Sequence, residues 1–494
     1  MFKRVLIANR GEIAVRVIRA CRALGVSPVA VYSDADAGSP HVKLADEAVR
    51  VGPAPARESY LDQERILAAC AETGADAVHP GYGFLAENAA FARRVAAAGL
   101  AFVGPSPEAM EALGDKVNAR RLAVHQKIPV SAGSEGVVKD AAEAVRIAEK
   151  VGYPVILKAA AGGGGIGMRV VRSGKEMEAA FEAAAATALS AFGVPDLFLE
   201  KYLERPRHIE VQVLGDTKGH LVHLGERECS LQRRHQKVLE ESPSPGLTDK
   251  QRAEVAAMAV ALAKAGRYHN AGTMEFLFQD RRFVFNEMNT RLQVEHPVTE
   301  MVTGLDLVAW QIRIAAGEPL SIRQDDVQRR GHAIELRINA EDPAKGFLPS
   351  PGRVARWIAP GGPGVRVDAG IQAGFTVPST YDSLVAKLIV HAPTRAEAIA
   401  RAQGALAEIV LEGFPTNLPM HRAILADEAF VHGDVSTRFF EERGLLAGLG
   451  AGLLDDAALQ RVAAVAVALD TPRGGGLRIL HHRQTAVPLR EASL

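Results

Sequence analysis

The chain opens on a change of period. Val5 to Ala8 is an unbroken apolar run of strand length, and Asn9 stands behind it where a helix N-cap belongs, with Glu12 three residues on to complete a capping box. Ile13, Val17, Ala20, Cys21 and Leu24 then recur at helical spacing, Gly25 ends the run, and Val29 to Ser33 returns as a second strand. This is a βαβ unit. Strand-like pieces at Ala77 to His79 and Ala101 to Gly104, separated by helical stretches, extend it to an α/β domain over about residues 1–114. From Tyr153 the pattern becomes strands joined by tight turns: Pro154 to Lys158, Met168 to Val171, Leu197 to Leu203, His208 to Leu214 and His220 to Leu224. That predicts antiparallel α+β structure. A helix is predicted near Asp249 to Ala265, ahead of a hairpin, and a third mixed region runs from about Gly331 to Ala447. The tail, 448–494, carries an Ala-rich helical pattern and then Gly474-Gly475-Gly476, and receives no role.

The hairpin carries the sharpest chemical signal. Thr273 to Phe278 and Phe283 to Asn289 are joined by Asp280-Arg281-Arg282. With those three residues as the loop, Gln279 faces Phe283, Leu277 faces Phe285 and Glu275 falls opposite Glu287, with Asn289 on the same face. Like charges directly across a sheet are destabilising, so two carboxylates and an amide oxygen together suggest a bound hard cation, and Mg²⁺ suits one or two carboxylates plus substrate phosphates. The rival reading is a solvated pair on an edge hairpin. Period two continues through Arg291, Gln293 and Glu295, but eight extended residues span ~26 Å, too far for one small site. A bend is therefore expected around Thr290 to Pro297.

Two other segments admit competing readings. Gly162 to Gly167 contains a G-x-G-x-x-G match, yet Met168 to Val171 continues as a strand instead of a helix, and no Lys follows Gly167, so neither a dinucleotide fingerprint nor a P-loop fits. What remains is a glycine-rich hairpin loop able to fold over phosphates, with Lys158 on the preceding strand; a plain surface loop is the alternative. Arg227 to Lys237 is dense in basic and amide groups, but Glu240 and Glu241 follow it and no aromatics interleave. Nucleic-acid binding is not expected from it.

Composition narrows the picture. At 494 residues, roughly three domains of ~100–200 residues are expected. Lys plus Arg equals Asp plus Glu at 58 each, so no net field draws a polyanion or an anionic membrane, and anions must be bound locally. No apolar run approaches the ~20 residues of a membrane span. The run Val5 to Ala8 stops at Asn9-Arg10-Gly11-Glu12, so no export segment is expected. Three cysteines, without a C-x-x-C pair, fit a reducing cytoplasm.

Taken together, Asn9 to Ala14, His79 to Asn88, Gly114-Asp115-Lys116, the Gly162 to Met168 loop, Glu226 to Lys237 and Glu287 to Glu300 resemble the biotin carboxylase family, collinearly over about residues 2–447. Asn289 to Pro297 is far more specific than any glycine motif. The resemblance implies a multidomain α/β and α+β fold: a preATP-grasp domain over 1–114, an ATP-grasp domain over 115–330 with a mobile lid about 131–203, and a C-terminal biotin carboxylase domain over 331–447. It implies that Lys116, Lys158 and the loop glycines Gly163, Gly164 and Gly165 bind ATP phosphates, that Glu200, Lys201 and Leu203 line the adenine pocket, and that His208, Gln232 and His235 complete the nucleotide contacts. Glu275, Glu287 and Asn289 would hold Mg²⁺, or Mn²⁺ in its place. Lys237, Arg291, Gln293 and Val294 would position bicarbonate, Glu295 would act as general base, and Arg337 would stabilise the biotin oxyanion.

Such roles are chemically coherent. Attack of bicarbonate on the γ-phosphoryl group needs a base and cations, and a fixed guanidinium beside a developing oxyanion is worth ~3–4 kcal/mol of barrier. Ile166 stands where the family often carries Arg or Lys, which predicts looser nucleotide binding, testable through the ATP KM of Ile166→Arg. No Met adjoins a Lys, so the Met-Lys-Met turn that carries covalent biotin is absent, and biotin is expected on a carrier protein or on a segment outside this sequence. The resemblance further implies a carboxyltransferase partner and a homodimer. The rivals are another ATP-grasp carboxylase or ligase, such as carbamoyl-phosphate synthase, and a catalytically silent ATP-binding protein. Glu275, Glu287, Arg291 and Glu295, all present, speak against the silent protein.

Overall fold

A computed structural model describes residues 1–160, 167–447 and 449. Gly163, Gly164, Gly165 and Ile166 of the glycine loop, and the tail apart from Leu449, lie outside the described residues. The fold is mixed α/β with three main sheets.

The N-terminal region is built on a parallel sheet of five strands in the order Glu47–Gly52, Ser27–Ser33, Arg4–Ile7, Ala77–His79, Ala101–Phe102. Its central strand is fully buried at Val5, Leu6 and Ile7, which is why it reads as an apolar run without alternation. Helix Gly11–Ala23 follows, but the expected capping box does not form. The N-cap is Arg10, with no side-chain cap. Asn9 instead donates through Nδ2 to the carbonyls of Pro80 and Tyr82, each at 2.7 Å, and Glu12 accepts from the Tyr82 hydroxyl. Tertiary partners have outbid the local cap. Gly81 is required beside them, since its φ is +62° and a Cβ there would meet Asn9 Nδ2 at 2.9 Å.

An antiparallel sheet of eight strands forms the body. Its order is Arg282–Asn289, Asn270–Gln279, Arg207–Gly215, Leu221–Arg233, Gln236–Ser242, His332–Asn339, Leu384–Ala392, Val365–Ala369. The sheet runs without interruption across residue 330, so strands from the middle and C-terminal parts of the sequence share one hydrogen-bonded surface. Helix Asp249–Ala265, capped by Thr248 and Gln251, packs Val255, Ala259 and Leu262 under the half of the sheet that begins at Arg282–Asn289. Helices Arg395–Glu408 and Leu418–Ala426 cover the other half. The third sheet is small: Arg169–Val171, Val155–Ala159 and Leu197–Lys201, backed by helices Ala141–Val151 and Met177–Phe192. No described helix is long and apolar enough to cross a membrane.

Two strand expectations need correction. The stretch from His220 was predicted to end at Leu224, whereas the strand runs on to Arg233 and returns as Gln236–Ser242 after a tight turn at Arg234 and His235, both with positive φ. The hairpin loop contains two residues, Asp280 and Arg281, with φ of 51° and 61°, and not three. Gln279 therefore pairs with Arg282, and Phe276 with Phe285. A bulge then inserts Asn286 and restores Glu275 opposite Glu287.

Candidate active site

Position along the ladder explains the charge at the site. Glu287, Glu275, Glu210 and Arg227 are directly opposite one another on four successive strands. Three carboxylates in such a row repel, and burial raises the cost, so the row stands only with cations inserted into it. Arg227, fully buried, closes one end against Glu210 at 3.1 Å and also donates to Gln212, Thr273 and Thr299. Lys237 Nζ sits above the middle, bonded to Glu210, to Glu275 at 3.0 Å and to Glu295 at 2.8 Å. His208 Nε2 lies 3.0 Å from Glu275. Lys116 is 3.5 Å from Glu287 at the open end.

These contacts set the protonation states. Burial pushes Glu275 toward neutrality, yet Lys237 and His208 outweigh it and hold its carboxyl well below the usual range. Burial opposes the charge on His208, but Glu275 and Glu210 carry its pKa up to about 9. Burial also opposes the charge on Lys237, and three carboxylates hold its pKa well above the ordinary lysine value. Glu295 is kept below the usual carboxylate range against burial and against Glu210, because Lys237 and Arg337 grip one oxygen each.

The bend expected after the hairpin is present. The strand ends at Asn289, the chain turns, and helix His296–Thr303 begins immediately after Glu295, so Lys237 spans Glu275 and Glu295 with one ammonium. Arg291 leaves the strand to donate to Glu87 at 3.2 Å and to Asn289 Oδ1 at 2.8 Å. Gln293 Nε2 and Asn289 Nδ2 both donate to Glu275 Oε1, at 3.0 and 2.7 Å. The Val294 carbonyl accepts from the buried Lys387 ammonium at 2.8 Å.

A cavity of about 890 Å³ joins these groups. Lys116, Lys158, Glu200, Lys201, Leu203, His208, Gln232 and His235 line one part of it, and Lys237, Glu275, Glu287, Asn289, Arg291, Gln293, Val294 and Arg337 another. Glu295 is not on the wall. It is fully buried behind it, reached through Lys237 and Arg337. In the first part, Lys158 donates to Glu200 at 2.6 Å, and Lys201 donates to the carbonyls of Gly152 and Tyr153. Gln232 bonds His208 at 2.9 Å.

Several participants escaped the sequence reading. Glu210 is one, although a signal existed: His208, Glu210 and Gln212 are polar positions alternating with Ile209, Val211 and Val213. Asn286, the bulge residue, lines the cavity and accepts from Lys158 at 3.3 Å, and nothing local announces a bulge. Glu240, Glu335 and Lys387 surround Arg337 and are likewise set by register alone.

Comparison with known proteins agrees with this architecture. Residues 1–110 match the family model for the biotin carboxylase N-terminal domain, 115–323 that for the carbamoyl-phosphate synthase L chain ATP binding domain, and 335–442 that for the biotin carboxylase C-terminal domain. The chain is 53% identical to the biotin carboxylase of Pseudomonas aeruginosa over 444 residues, covering 90% of this chain and 99% of that one. It is 51% identical to a pyruvate carboxylase component of Methanothermobacter thermautotrophicus, covering 90% of each. Among solved structures, the biotin carboxylase domain dimer of Hydrogenobacter thermophilus 2-oxoglutarate carboxylase, in complex with MgADP, ADP and bicarbonate, superposes with a TM-score of 0.88 at 49% identity, over 90% of this chain and 98% of that one. The Campylobacter jejuni biotin carboxylase complex with a β,γ-ATP ligand gives the same TM-score at 44% identity, over 90% and 99%. With relatives matched over nine-tenths of the sequence and the carboxylate ladder and cavity lying inside the matched region, the chain belongs to the biotin carboxylase family.

Proposed function

We propose that this chain carboxylates biotin on a carrier protein, using MgATP and bicarbonate, and so performs the first half-reaction of an acyl-CoA or pyruvate carboxylase. The observation that carries the reading is the Lys237 ammonium bridging Glu275 to Glu295, which ties a metal-type carboxylate to a proton acceptor beside Arg337. In this reading, residues 1–114 form the preATP-grasp domain, 115–330 the ATP-grasp domain with its lid about 131–203, and 331–447 the biotin carboxylase C-terminal domain.

Lys116 and Lys158 bind the ATP phosphates with the glycine loop, while Glu200, Lys201, Leu203, His208, Gln232 and His235 take the rest of the nucleotide. Glu275, Glu287 and Asn289 would hold Mg²⁺, or Mn²⁺. The donor set fits: all are oxygen ligands, and among the described residues Glu287 has a single salt bridge, to Lys116 at 3.5 Å, with Arg291 acting on it from farther away, so that end of the row is the least neutralised. The ion supplies charge neutralisation to the phosphate oxygens.

Lys237, Arg291, Gln293 and the Val294 backbone hold bicarbonate, and Glu295 takes its proton. The bicarbonate oxygen attacks the γ-phosphorus, ADP leaves, and the carboxyphosphate so formed breaks down to CO₂ and phosphate in the closed cavity, where the phosphate takes the ureido N–H proton and the ureido nitrogen attacks CO₂. Arg337 then stabilises the oxyanion of the deprotonated biotin ureido group. When its guanidinium turns to that oxygen, Glu295 loses one of the three cations, Lys237, Arg337 and Arg227, that depress its pKa and becomes a stronger base.

The carrier protein, a carboxyltransferase that selects the acceptor, and a second copy of this chain are the proposed partners; light scattering tests the homodimer. A cytoplasmic setting fits Cys21, Cys70 and Cys229, all buried free thiols. Bicarbonate-dependent phosphate release from ATP, with and without free biotin, tests the reaction. Stimulation by biotin is expected, together with its loss in Arg337→Ala. Turnover indifferent to biotin would assign another ATP-grasp ligase activity, and no turnover a silent ATP-binding protein.

A further inference from the structure

Behind Arg337 lies a group of charges that the reaction above does not use. Glu240 and Glu335 are directly opposite one another on the strands Gln236–Ser242 and His332–Asn339, and both are fully buried. Glu240 Oε1 accepts from Arg337 Nε at 2.6 Å, while its Oε2 has no hydrogen-bond partner among the described residues. Neither oxygen of Glu335 has a hydrogen-bond partner among the described residues. Arg337 Nη2 is divided between Glu240 Oε1 and Glu295 Oε2, at 2.5 and 2.9 Å.

We propose that Glu240 and Glu335 form a positioning pair for Arg337, in which Glu335 keeps its carboxyl proton and Glu240 carries the one negative charge that anchors the guanidinium. Two carboxylates opposed across a dry ladder do not both ionise, and an ionised Glu335 would be a buried charge without a single hydrogen bond. The proton therefore belongs on the member with no donor beside it. The groups facing the pair agree. Glu240 meets Arg337, Glu295, Lys237 and the Cys229 thiol; Glu335 meets Lys387, Glu240, Arg337, Glu295 and Tyr82, and Lys387 is committed to the Val294 carbonyl and to Glu12 at 3.3 Å. Burial lifts both carboxyl groups, Glu240 to about 7 and Glu335 further, so the anchor itself titrates near neutrality. Arg337 is held tightly above that pH and loosely below it, which links the biotin step to pH.

The inference rests on Arg337 acting on biotin, and the test separates the two. In the full chain, phosphate release is followed from pH 6 to 9 with and without free biotin. Glu240→Gln should lower the biotin-dependent kcat at least tenfold, erase the inflection near pH 7 from its profile, and leave the biotin-independent reaction within threefold. Glu335→Gln exchanges an already neutral acid for an amide. It should stay within threefold at every pH while removing an infrared band of a protonated carboxyl that the unsubstituted protein retains at pH 8. Equal loss of both activities in Glu240→Gln, or absence of that band at pH 8, overturns the pair. If Arg337→Ala leaves the biotin-dependent rate intact, the assignment of Arg337 itself has failed.

Discussion

Lys237 is the residue on which the site's charge balance turns. Its side chain is mostly buried, and three carboxylates that share no other ammonium converge on it. Removing one partner of a buried ion pair costs ~3–5 kcal/mol, because the charges left behind are neither hydrated nor paired. Lys237→Gln is therefore expected to lower the urea-unfolding free energy by about that amount, besides abolishing turnover. Glu287 presents the opposite case, since it lies at the open end of the row with Lys116 at 3.5 Å and is partly exposed. Glu287→Gln should leave the unfolding free energy nearly unchanged and cost on the order of a hundredfold in activity, with the loss partly recovered at high Mg²⁺. Comparison of Mg²⁺ titrations for the two proteins checks it. The same environment explains why the roles of single residues were only partly legible. Glu275, Glu287 and Glu295 stand out in sequence as charges where a strand should be apolar, whereas Asn9 looked like a helix cap and was claimed by two carbonyls 71 and 73 residues away.

At the scale of elements, the hairpin Asn270–Gln279 with Arg282–Asn289 shows how a turn and a bulge together set the chemistry. A two-residue loop with both φ positive is a type I′ turn, which Asn-Gly fills with the least strain and which Arg281 occupies at some cost. Asp280→Asn combined with Arg281→Gly should stabilise the protein by about 0.5–1 kcal/mol in urea titrations and leave kcat unaltered. The bulge is another matter. Deletion of Asn286 takes out only the extra residue: Glu287 then follows Phe285 directly and stays opposite Glu275, while the amide oxygen that accepts from Lys158 is lost. The folded protein should keep its circular dichroism spectrum and a measurable ATP turnover, with a raised ATP KM. Alternation along this hairpin predicted the pairing of Glu275 with Glu287 correctly, although two errors cancelled to produce it: one loop residue too many, and one bulge residue too few.

Across the whole molecule, burial decides which groups titrate with folding. His41 is fully buried between Ser39 and the Val31 carbonyl, and burial pushes its pKa down to about 4, against ~6.5 in an unfolded chain. Between those values the unfolded chain binds one more proton at this position, so the contribution of His41 is whole above pH 6.5 and falls as the pH drops toward 4. Raised carboxyl groups such as Glu240 act with the opposite sign, and a single-variant difference isolates the imidazole. The unfolding free energy of His41→Asn should accordingly rise less steeply with pH between 4 and 6.5, by about one proton, than that of the unsubstituted chain. Local periods were legible in the amino-acid order alone: the buried run at Val5, a helix near Asp249–Ala265 and two carboxylates facing each other across a hairpin, because each depends on neighbours within a few positions. Folding in three dimensions was needed to bring Glu210 and Arg227 into the row with Glu287, to join strands on both sides of residue 330 in one sheet, and to set Glu295 behind the cavity wall. Those facts depend on the register of strands far apart in the chain, where a displacement of one residue exchanges a charged face for an apolar one.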